Sequence, residues 1–346
     1  MHKIAVDLGY GFLKGMNEDG DRILFPSVVG PAHNRDLGEL FGTNAKNKLE
    51  NLQVHVKGDE INGNYFVGSL ARESTTKSVA FGTNKIWHPN TMVLLSTAAA
   101  LLAPDREDIF IVTGLPLDHY KIQRRELSNY LQNFNAEIQF NGNGNPNKTR
   151  EIKFSRSAVF PQGAGAVYRA LQEHPETRHN IGATAAIIDI GFRTTDFITV
   201  RIGTPLETLE RYSGTIEAGM FHLHRSFETR FLKETGCQVD PARVGEYITA
   251  GGKFYFDGRE HDFSHTLQTA RNELVSVIRD GLIASWRDSF REFRSVFLVG
   301  GGASELSDGL EQYFPMLQRI SDPQFANCAG FLYYAGLLER RALFRK

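Results

Sequence analysis

A chain of 346 residues, of which 41% are hydrophobic and 23% charged, has the composition of an ordinary folded protein and is long enough for two compact lobes. Its 39 Lys and Arg residues nearly balance its 40 Asp and Glu residues, so a net charge of -1 gives no indication of direct nucleic-acid binding. The two cysteines, Cys237 and Cys328, are far apart in the sequence, which argues against a disulfide framework and a cysteine zinc site.

No segment is typical of export or membrane insertion. The first residues reach an aspartate at position 7, which leaves no room for the apolar core of a signal peptide. The most apolar stretch, residues 92–103, falls well short of the roughly 20 residues that span a bilayer. We therefore expect a cytoplasmic protein without a membrane partner.

The first predicted elements form a hairpin. Residues 4–6 predict a short buried strand, residues 7–11 (DLGYG) a turn, and residues 12–16 the return strand. From residue 26 to about residue 84 the chain is rich in Gly, Asn and charged residues, with only short strand-like pieces. This composition predicts a small insertion subdomain.

Helices and strands then alternate. The predicted elements are a helix over 92–103, a strand over 108–113, a helix over 118–134, strands over 136–140 and 150–154 joined by a hairpin tip at 141–148, a strand ending at 161, and a helix that starts just after Gln162. Such alternation predicts an α/β core.

The chain then repeats its own opening. Residues 5–10 (AVDLGY) align without gaps with residues 187–192 (IIDIGF), at an interval of 182 residues. The elements predicted after this repeat are a helix over 217–233, a second insertion over 235–264, a long helical stretch over 264–293, a buried strand over 295–299 and an amphipathic helix over 324–341.

Asp7 and Asp189 end the two equivalent strands. A carboxylate beside a glycine turn suits a magnesium ion, held directly or through its waters, because hard cations prefer oxygen ligands. The backbone N–H groups of the turns can then face a phosphate. The turn residues predicted to do so are Gly9, Tyr10, Gly11 and Gly191.

Further side chains near these turns can bind phosphate. Lys14 on the first return strand can supply a positive charge to the β- or γ-phosphate, and the hydroxyls of Thr194 and Thr195 can donate from the second hairpin. Each hairpin is common in proteins and is weak evidence alone. The prediction of a nucleotide site depends on finding two of them together with a third glycine site.

That third site is a run of glycines after the last buried strand. Such a run lets the chain turn and bring a helix N-terminus toward a ligand, which suits ribose, adenine or an α-phosphate. The alternative is a crowded strand-to-helix turn without a ligand. The residues concerned are Gly300, Gly301, Gly302 and Ala303.

Five segments resemble, in order, the ATPase motifs of the superfamily of actin, heat-shock chaperones and sugar kinases: 7–14, 159–166, 187–197, 297–306 and 323–330. The sequences DLGYG, FPSVVG, YFVGSLA, PQGAGA, DIGFRTTD, VGGGAS and PQFANCAG are most similar to the prokaryotic ParM, plasmid Alp and archaeal actin-like group. This resemblance implies an α/β actin-like ATPase fold, with two duplicated RNase H-like lobes and small insertion subdomains around a nucleotide cleft.

Carried onto this sequence, the resemblance implies lobe I over 1–160, including the insertion at about 26–84, and lobe II over 161–323, including the insertion at about 235–264. The C-terminal helix, 324–341, is expected to pack back on lobe I. ATP with Mg²⁺ is the implied ligand, with GTP as an alternative.

The resemblance also assigns Gln162 a catalytic role beside Asp7 and Asp189. Its amide can align the attacking water but cannot take the water's proton, which implies slow turnover. The alternative is a polar cap on the following helix. Glu217 can reach ribose hydroxyls, although an acidic residue is favoured in a first helical turn in any case.

Two functions from different classes fit these motifs. The first is a filament-forming ATPase that assembles with its own copies on ATP binding and disassembles after hydrolysis. Its expected use is plasmid DNA segregation, with DNA reached only through an adaptor protein. The second is a sugar-type small-molecule kinase on the same fold. A chaperone would need a substrate-binding domain, and only about 16 residues follow the last motif.

Several other features are open to ordinary explanations. His222 and His224 lie two positions apart, so on a helix they point in different directions and do not form a metal pair. The basic stretch 121–125 is typical of a solvated helix surface. Trp87 and Tyr255–Phe256 suit a subunit contact as readily as local packing.

Overall fold

The computed structural model describes residues 1–33, 48–59, 61–72, 74, 78–79, 88–104, 108–141 and 149–343. The chain divides into two compact units. Unit 1 consists of Met1–Leu115, His119–Pro161 and Asn327–Lys346, and unit 2 of Pro116–Asp118 and Gln162–Ala326. Trp87 and most of the predicted hairpin tip at 141–148 lie outside the described residues.

Unit 1 contains two β-sheets. Its strands are β1 (His2–Leu8), β2 (Phe12–Asn17), β3 (Arg22–Pro26), β4 (Val28–Pro31), β5 (Leu52–Gly58), β6 (Asn62–Val67), β7 (Ser78–Val79), β8 (Ile109–Leu115), β9 (Asn135–Phe140), β10 (Arg150–Lys153) and β11 (Arg156–Pro161). The first sheet has the order β11-β8-β1-β2-β3. β1 lies in its centre, parallel to β8 and antiparallel to β2. This position explains its nearly continuous apolar run, because both faces are covered.

The second sheet of unit 1 contains strands from segments that the sequence pattern assigns to separate parts of the chain. Its order is β10-β9-β5-β6-β4-β7, so strands of the first insertion pair with the later hairpin. Leu52, Val54 and Val56 alternate inward along β5 and are buried, which matches a strand with one face on the core. Its pairing with β9 spans about eighty residues of sequence, and no local pattern encodes such a partner.

The helices complete both units. In chain order they are α1 (Ser69–Arg72), α2 (Pro89–Leu102), α3 (Leu117–Gln132), α4 (Ala164–Glu173), α5 (Pro175–Arg178), α6 (Phe221–Thr235), α7 (Pro241–Thr249), α8 (Ser264–Trp286), α9 (Ala303–Glu311) and α10 (Ala326–Leu343). Short 3₁₀ turns occupy Lys48–Glu50, Glu210–Tyr212, Arg287–Glu292 and Pro323–Phe325. Two predicted spans need correction: the helix predicted from 217 begins at Phe221, and the one predicted through 293 ends at Trp286.

Helix α2 is almost wholly buried, whereas α10 is attached to unit 1 through side-chain contacts. Every residue of α2 from 90 to 100 is buried, which accounts for a helix that is apolar nearly all round. From Asn327 onward, α10 is part of unit 1. It is held at one end by the Cys328 thiol, whose sulfur lies 3.4 Å from the Lys14 carbonyl oxygen, and further along by an ion pair of 3.0 Å between Glu339 and Lys3.

Unit 2 is built around one larger sheet. Its strands are β12 (Thr184–Ile190), β13 (Thr195–Arg201), β14 (Glu207–Thr208), β15 (Gly214–Ile216), β16 (Lys253–Phe256), β17 (Arg259–Asp262), β18 (Ser295–Val299) and β19 (Leu317–Arg319). The main sheet has the order β14-β13-β12-β18-β19, and β15 pairs with β13. β16 and β17 form a separate hairpin.

The segment predicted as the second insertion has an ordered aromatic core. Phe227 and Phe231 of α6 contact Tyr247 of α7 and Phe254 of β16, with ring centroids 5.6 to 6.4 Å apart. Trp87, Tyr255 and Phe256 were predicted to suit either a subunit contact or packing. Of the two that the structure describes, Phe256 packs edge-on against Phe231, whereas Tyr255 is 66% exposed.

The internal repeat is visible in the strand pairings. β1 lies between antiparallel β2 and parallel β8, and β12 lies between antiparallel β13 and parallel β18. The same order of neighbours surrounds each aspartate. Within the described residues, no helix combines the length and apolarity needed to cross a membrane.

Candidate functional site

The first candidate site, in unit 1, lies where β1 meets β2. Asp7 is 2% exposed and stands directly opposite Lys14 in the antiparallel pair. The Lys14 Nζ lies 3.3 Å from the Asp7 Oδ2, which forms an ion pair between two largely buried side chains. The pair places one positive and one negative group beside the same turn.

The turn between these strands requires glycine at its first position. A Cβ on Gly9 would lie 2.6 Å from the Phe12 carbonyl oxygen, too close for any side chain. The Ser27 hydroxyl donates to the Gly9 carbonyl at 2.7 Å, and the Ser27 N–H donates to the Gly11 carbonyl at 3.0 Å. These bonds hold the turn, which also contains the half-buried Tyr10, against the start of the next segment.

The second candidate site, in unit 2, has the same strand register with different side chains. Asp189 is 8% exposed and stands opposite Asp196, which is 4% exposed. Asp196 accepts a hydrogen bond of 2.5 Å from the Thr215 hydroxyl on its other side. Two carboxylates therefore lie on neighbouring strands at the position where unit 1 has a carboxylate and an ammonium group.

Asp196 was missed from the sequence although a signal was present. It follows Asp189 by seven residues, the spacing that separates Lys14 from Asp7. Because strand partners in the two hairpins have the same register, this spacing alone places Asp196 opposite Asp189.

The two threonines of the second hairpin have different surroundings. Thr195 is fully buried, and its hydroxyl donates to the Ala218 carbonyl at 2.8 Å. That hydroxyl hydrogen is used within unit 2, so the structure does not present it to a phosphate. Thr194 is half-buried in the turn, where its carbonyl accepts from the Gly191 N–H at 2.9 Å.

A loop after β15 packs closely on the second turn. The Met220 N–H donates to the Gly191 carbonyl at 3.1 Å, and a Cβ on Gly219 would lie 2.7 Å from the same oxygen. Gly219 is therefore a second residue missed from the sequence, where it closes the stretch Gly214–Gly219. Glu217 is exposed in this loop, four residues before α6, so it does not occupy a first helical turn as predicted.

The glycine run after β18 lies directly against Asp189. Val299 pairs with Asp189, and Gly300 follows with a φ of +89°. A Cβ on Gly300 would lie 2.4 Å from the Asp189 Oδ1, and the Gly302 N–H donates to the Ile190 carbonyl at 3.0 Å. Two features predicted independently, the aspartate and the glycine run, therefore meet within unit 2.

The remaining residues of the run lead into a helix. α9 begins at Ala303, and Gly301 is exposed before it. Gly302 lies over the side chains of Ile190 and Met220, where a Cβ would be 2.5 and 2.9 Å from their nearest atoms. Glycine is thus required at 300 and 302 for close packing, whatever the ligand.

Gln162 lies at the junction between a strand and a helix. It follows β11, is 8% exposed, and precedes Gly163, whose φ of +80° favours glycine. α4 then begins at Ala164. Gln162 belongs to unit 2 and lies two residues before this helix.

The turns offer backbone donors for an anion. Each of the three turns has at least one N–H group without an acceptor among the residues that the structure describes: that of Gly11 in the first, those of Phe192 and Thr194 in the second, and that of Gly301 in the third. Backbone N–H groups at glycine-rich turns suit phosphate oxygens, so the residues present fit a nucleotide.

The donor set also fits a magnesium ion better than a transition metal. Among the described residues, no group of three or more His, Cys, Asp or Glu side chains could hold a metal by itself. A magnesium ion bound with a nucleotide needs only one or two carboxylates, because phosphates and waters supply the other oxygens. Asp7 in unit 1 and Asp189 in unit 2 are each a carboxylate of this kind.

Two family profiles match most of the chain. The profile described as "Actin like proteins N terminal domain" matches residues 5–165, and the profile described as "Archaeal actin homologue MreB-like, C-terminal" matches residues 187–312. Each profile covers one of the two candidate sites. Asp7 and Lys14 lie in the first match, and Asp189, Asp196 and Gly300 lie in the second.

Known proteins are similar over nearly the whole length. A chain of the 15-stranded ParM filament from Clostridium botulinum has a TM-score of 0.88 and 31% identity, with 97% of this chain and 99% of that chain covered. The archaeal actin homolog of Thermoplasma acidophilum is 25% identical over 338 residues, which is 95% of this chain and 97% of the relative. An archaeal actin homolog solved in complex with ADP has the same fold, with a TM-score of 0.79, 22% identity and coverage of 97% and 99%.

Proposed function

Because this chain belongs to the family of actin-like proteins that includes ParM and the archaeal actin homologs, we propose that it binds and hydrolyses ATP and assembles with its own copies into filaments. The actin-like fold and the family predicted from the motifs are both confirmed by these matches. The observation that most supports ATP binding is the repeated unit of a buried aspartate and a glycine turn, with Gly300 against the second aspartate.

In this proposal the turns hold the phosphates. The N–H groups of Gly11 and Phe192 donate to phosphate oxygens, and Lys14 adds a positive charge. Gly301 lies at the turn proposed for the nucleoside end. Asp7 and Asp189 are the carboxylates that would hold Mg²⁺, and the ion would neutralise phosphate charge.

Gln162 is the proposed positioning group for the attacking water. The water oxygen bonds to the γ-phosphorus while the bond to the bridging oxygen breaks, so ADP and inorganic phosphate leave. An amide accepts or donates a hydrogen bond but takes no proton, so the proton passes to phosphate or solvent. Turnover is therefore expected to be slow, which suits hydrolysis that times disassembly.

The filament role follows from the family. A relative's structure is described as a 15-stranded ParM filament. For this chain we propose head-to-tail assembly favoured by ATP and weakened after hydrolysis, since an asymmetric contact that does not close yields an open filament. Plasmid DNA segregation through an adaptor protein in the cytoplasm is the proposed use, with GTP as an alternative nucleotide.

Measuring phosphate release and pelleting of the chain in parallel tests this function. We expect Mg-ATP to cause pelleting, Asp7→Ala and Asp189→Ala to lower hydrolysis by about 100-fold or more, and Gln162→Ala to slow hydrolysis about 10-fold or more while ATP still binds. Asp19→Asn, at a side chain that is 63% exposed, is the control and should match the wild type.

The result that would overturn the proposal is also specific. Phosphorylation of an added sugar, without nucleotide-dependent pelleting, would identify a small-molecule kinase on this fold instead. Wild-type turnover in Asp189→Ala would show that the nucleotide lies elsewhere.

A further inference from the structure

Ser27 lies at the junction between the two sheets of unit 1. It is the single residue between β3, which ends at Pro26 in the first sheet, and β4, which begins at Val28 in the second sheet. Its side chain is fully buried. Because covalent bonds join Ser27 to both strands within a packed interior, a displacement of this residue reaches both sheets.

Ser27 uses both of its hydrogen-bond donors on the first turn, residues 9–11. Its hydroxyl donates to the Gly9 carbonyl at 2.7 Å, and its N–H donates to the Gly11 carbonyl at 3.0 Å. Two carbonyl groups of the same turn are therefore held by one buried residue.

These two bonds also restrict the direction of the N–H groups of the turn. In a trans peptide the C=O and N–H bonds point in opposite directions, so the held Gly9 carbonyl directs the Tyr10 N–H away from Ser27. The peptide between Tyr10 and Gly11 lies between two peptides whose carbonyls are held. It carries the Gly11 N–H, which has no acceptor among the described residues.

The glycines of this turn make an outside restraint necessary. A glycine backbone populates more conformations than that of any other residue, so an unrestrained turn can rotate a carbonyl oxygen toward an anion and repel it. A stiffer residue cannot replace Gly9, because a Cβ there would lie 2.6 Å from the Phe12 carbonyl oxygen. The rigidity of the turn therefore depends on contacts, and Ser27 supplies two of them.

From this arrangement we propose that Ser27 is a positioning residue for the first turn and transmits phosphate binding at that turn to the second sheet of unit 1. The inference rests on the proposed function, in which a nucleotide phosphate accepts from the Gly11 N–H. A bound phosphate restricts the turn, and the restricted turn restricts Ser27 and the start of β4. β4 pairs with β6, where Val29 lies opposite Val67, so the restraint continues into the second sheet.

The alternative is that Ser27 only satisfies two buried carbonyl groups. Its loss would then lower stability, as the loss of a buried hydroxyl does elsewhere, and would leave the affinity for nucleotide unchanged. Measurements of both stability and binding distinguish these two roles.

Substitution of Ser27 tests the positioning role. We expect Ser27→Ala to weaken binding of a fluorescent ATP analogue by about 10-fold, since the Gly9 carbonyl loses its donor and the peptides of the turn can rotate. Ser27→Thr keeps the hydroxyl and should recover most of that affinity. Thermal unfolding of each variant without nucleotide measures the cost to stability.

Ser74→Ala is the matched control. Ser74 is also buried, and its hydroxyl donates to the Pro31 carbonyl at 3.5 Å, at the opposite end of β4 from Ser27. This variant removes the same group beside the same strand without touching the first turn. Its binding of the ATP analogue should stay within about 2-fold of the wild type, because distant sites act independently.

Hydrogen exchange of the wild-type chain tests the transmission without any substitution. Addition of Mg-ADP should slow the exchange of backbone amides in the first turn and also in β4 and β6. In Ser27→Ala saturated with Mg-ADP, the turn should remain protected while the slowing in β4 and β6 becomes smaller. In Ser74→Ala the slowing should match that of the wild type.

The outcomes separate this inference from the function on which it rests. Wild-type affinity in Ser27→Ala would overturn the positioning role, and slowed exchange confined to the turn in the wild type would overturn the transmission. If Ser27→Ala does not fold, the hydrogen exchange of the wild-type chain decides the question alone. A wild-type chain that binds neither the ATP analogue nor Mg-ADP would contradict the proposed function itself.

Discussion

The two aspartate hairpins share a backbone and differ in charge. Asp7 faces Lys14, whereas Asp189 faces Asp196, although both pairs occupy the same register. An ion pair in unit 1 and two carboxylates in unit 2 give the hairpins different electrostatic preferences. The comparison teaches that a duplicated fold can keep its strand register while the charges at equivalent positions change, from a paired carboxylate and ammonium group in unit 1 to two facing carboxylates in unit 2.

The neighbouring strand also differs between the two units. In unit 1 the Thr113 hydroxyl, fully buried on β8, donates to the Val6 carbonyl at 2.6 Å. In unit 2 the corresponding neighbour, β18, leads into Gly300, which approaches Asp189 too closely for a side chain. In unit 2 the contact between the hairpin and the neighbouring strand therefore requires a residue without a side chain. In unit 1 the equivalent contact includes a side-chain hydrogen bond.

The largest expected effect on stability comes from adding a side chain at Gly300. Gly300→Ala should lower the free energy of unfolding by about 2–5 kcal/mol, since it combines a positive φ with a severe clash. Gly236→Ala is the control: its φ is +70° but nothing lies within 4 Å, so a loss of about 1 kcal/mol is expected. Urea unfolding measures both, and equal losses would show that the close approach to Asp189 is unimportant for stability.

The difference in charge between the two hairpins predicts smaller changes in stability. These changes should differ between substitutions of Asp7 and of Asp189. Asp7→Asn removes a largely buried ion pair and should lower the free energy of unfolding by about 1–3 kcal/mol. Asp189→Asn removes one of two facing carboxylates and should leave stability unchanged or raise it. Thermal unfolding without nucleotide compares them. A larger loss for Asp189→Asn would reverse our view of the two hairpins.

The smallest expected effect concerns the base of the first hairpin. Burial raises the pKa of the Glu18 carboxyl, but hydrogen bonds and the charge of Lys3 outweigh burial and hold that pKa below its ordinary value of 4.5. The unfolded chain therefore binds this proton more readily. The stabilisation is fully present above pH 4.5 and is lost as the pH falls through the lowered pKa.

Glu18→Gln measures this contribution. At neutral pH the variant should be less stable by about 0.5 kcal/mol, because solvent screens this partly exposed pair, and the difference should vanish in acid. Glu207→Gln on β14 is the control, because this carboxylate and its partner Arg201 on β13 are both more than half exposed. A pH-independent difference for Glu18→Gln would exclude the ion pair as its cause.

The sequence by itself determined the features that depend on neighbours along the chain. Asp7 and Asp189 could be located because each follows a buried apolar run and precedes glycine, and the glycine run at 300–302 could be located in the same way. The actin-like fold was predicted from five such motifs in order and is confirmed. Their roles toward ATP remain proposals.

The tertiary structure decided what depends on segments far apart in sequence. It joined the first insertion to β9 in one sheet, directed the Thr195 hydroxyl to Ala218, and packed Gly219 against the second turn. Strand partners and buried hydrogen bonds are selected by packing among distant residues, and local patterns do not encode that selection. Asp189 and Asp196 belong partly to each group. Their spacing can be read from the sequence, but their pairing across two strands is a property of the sheet.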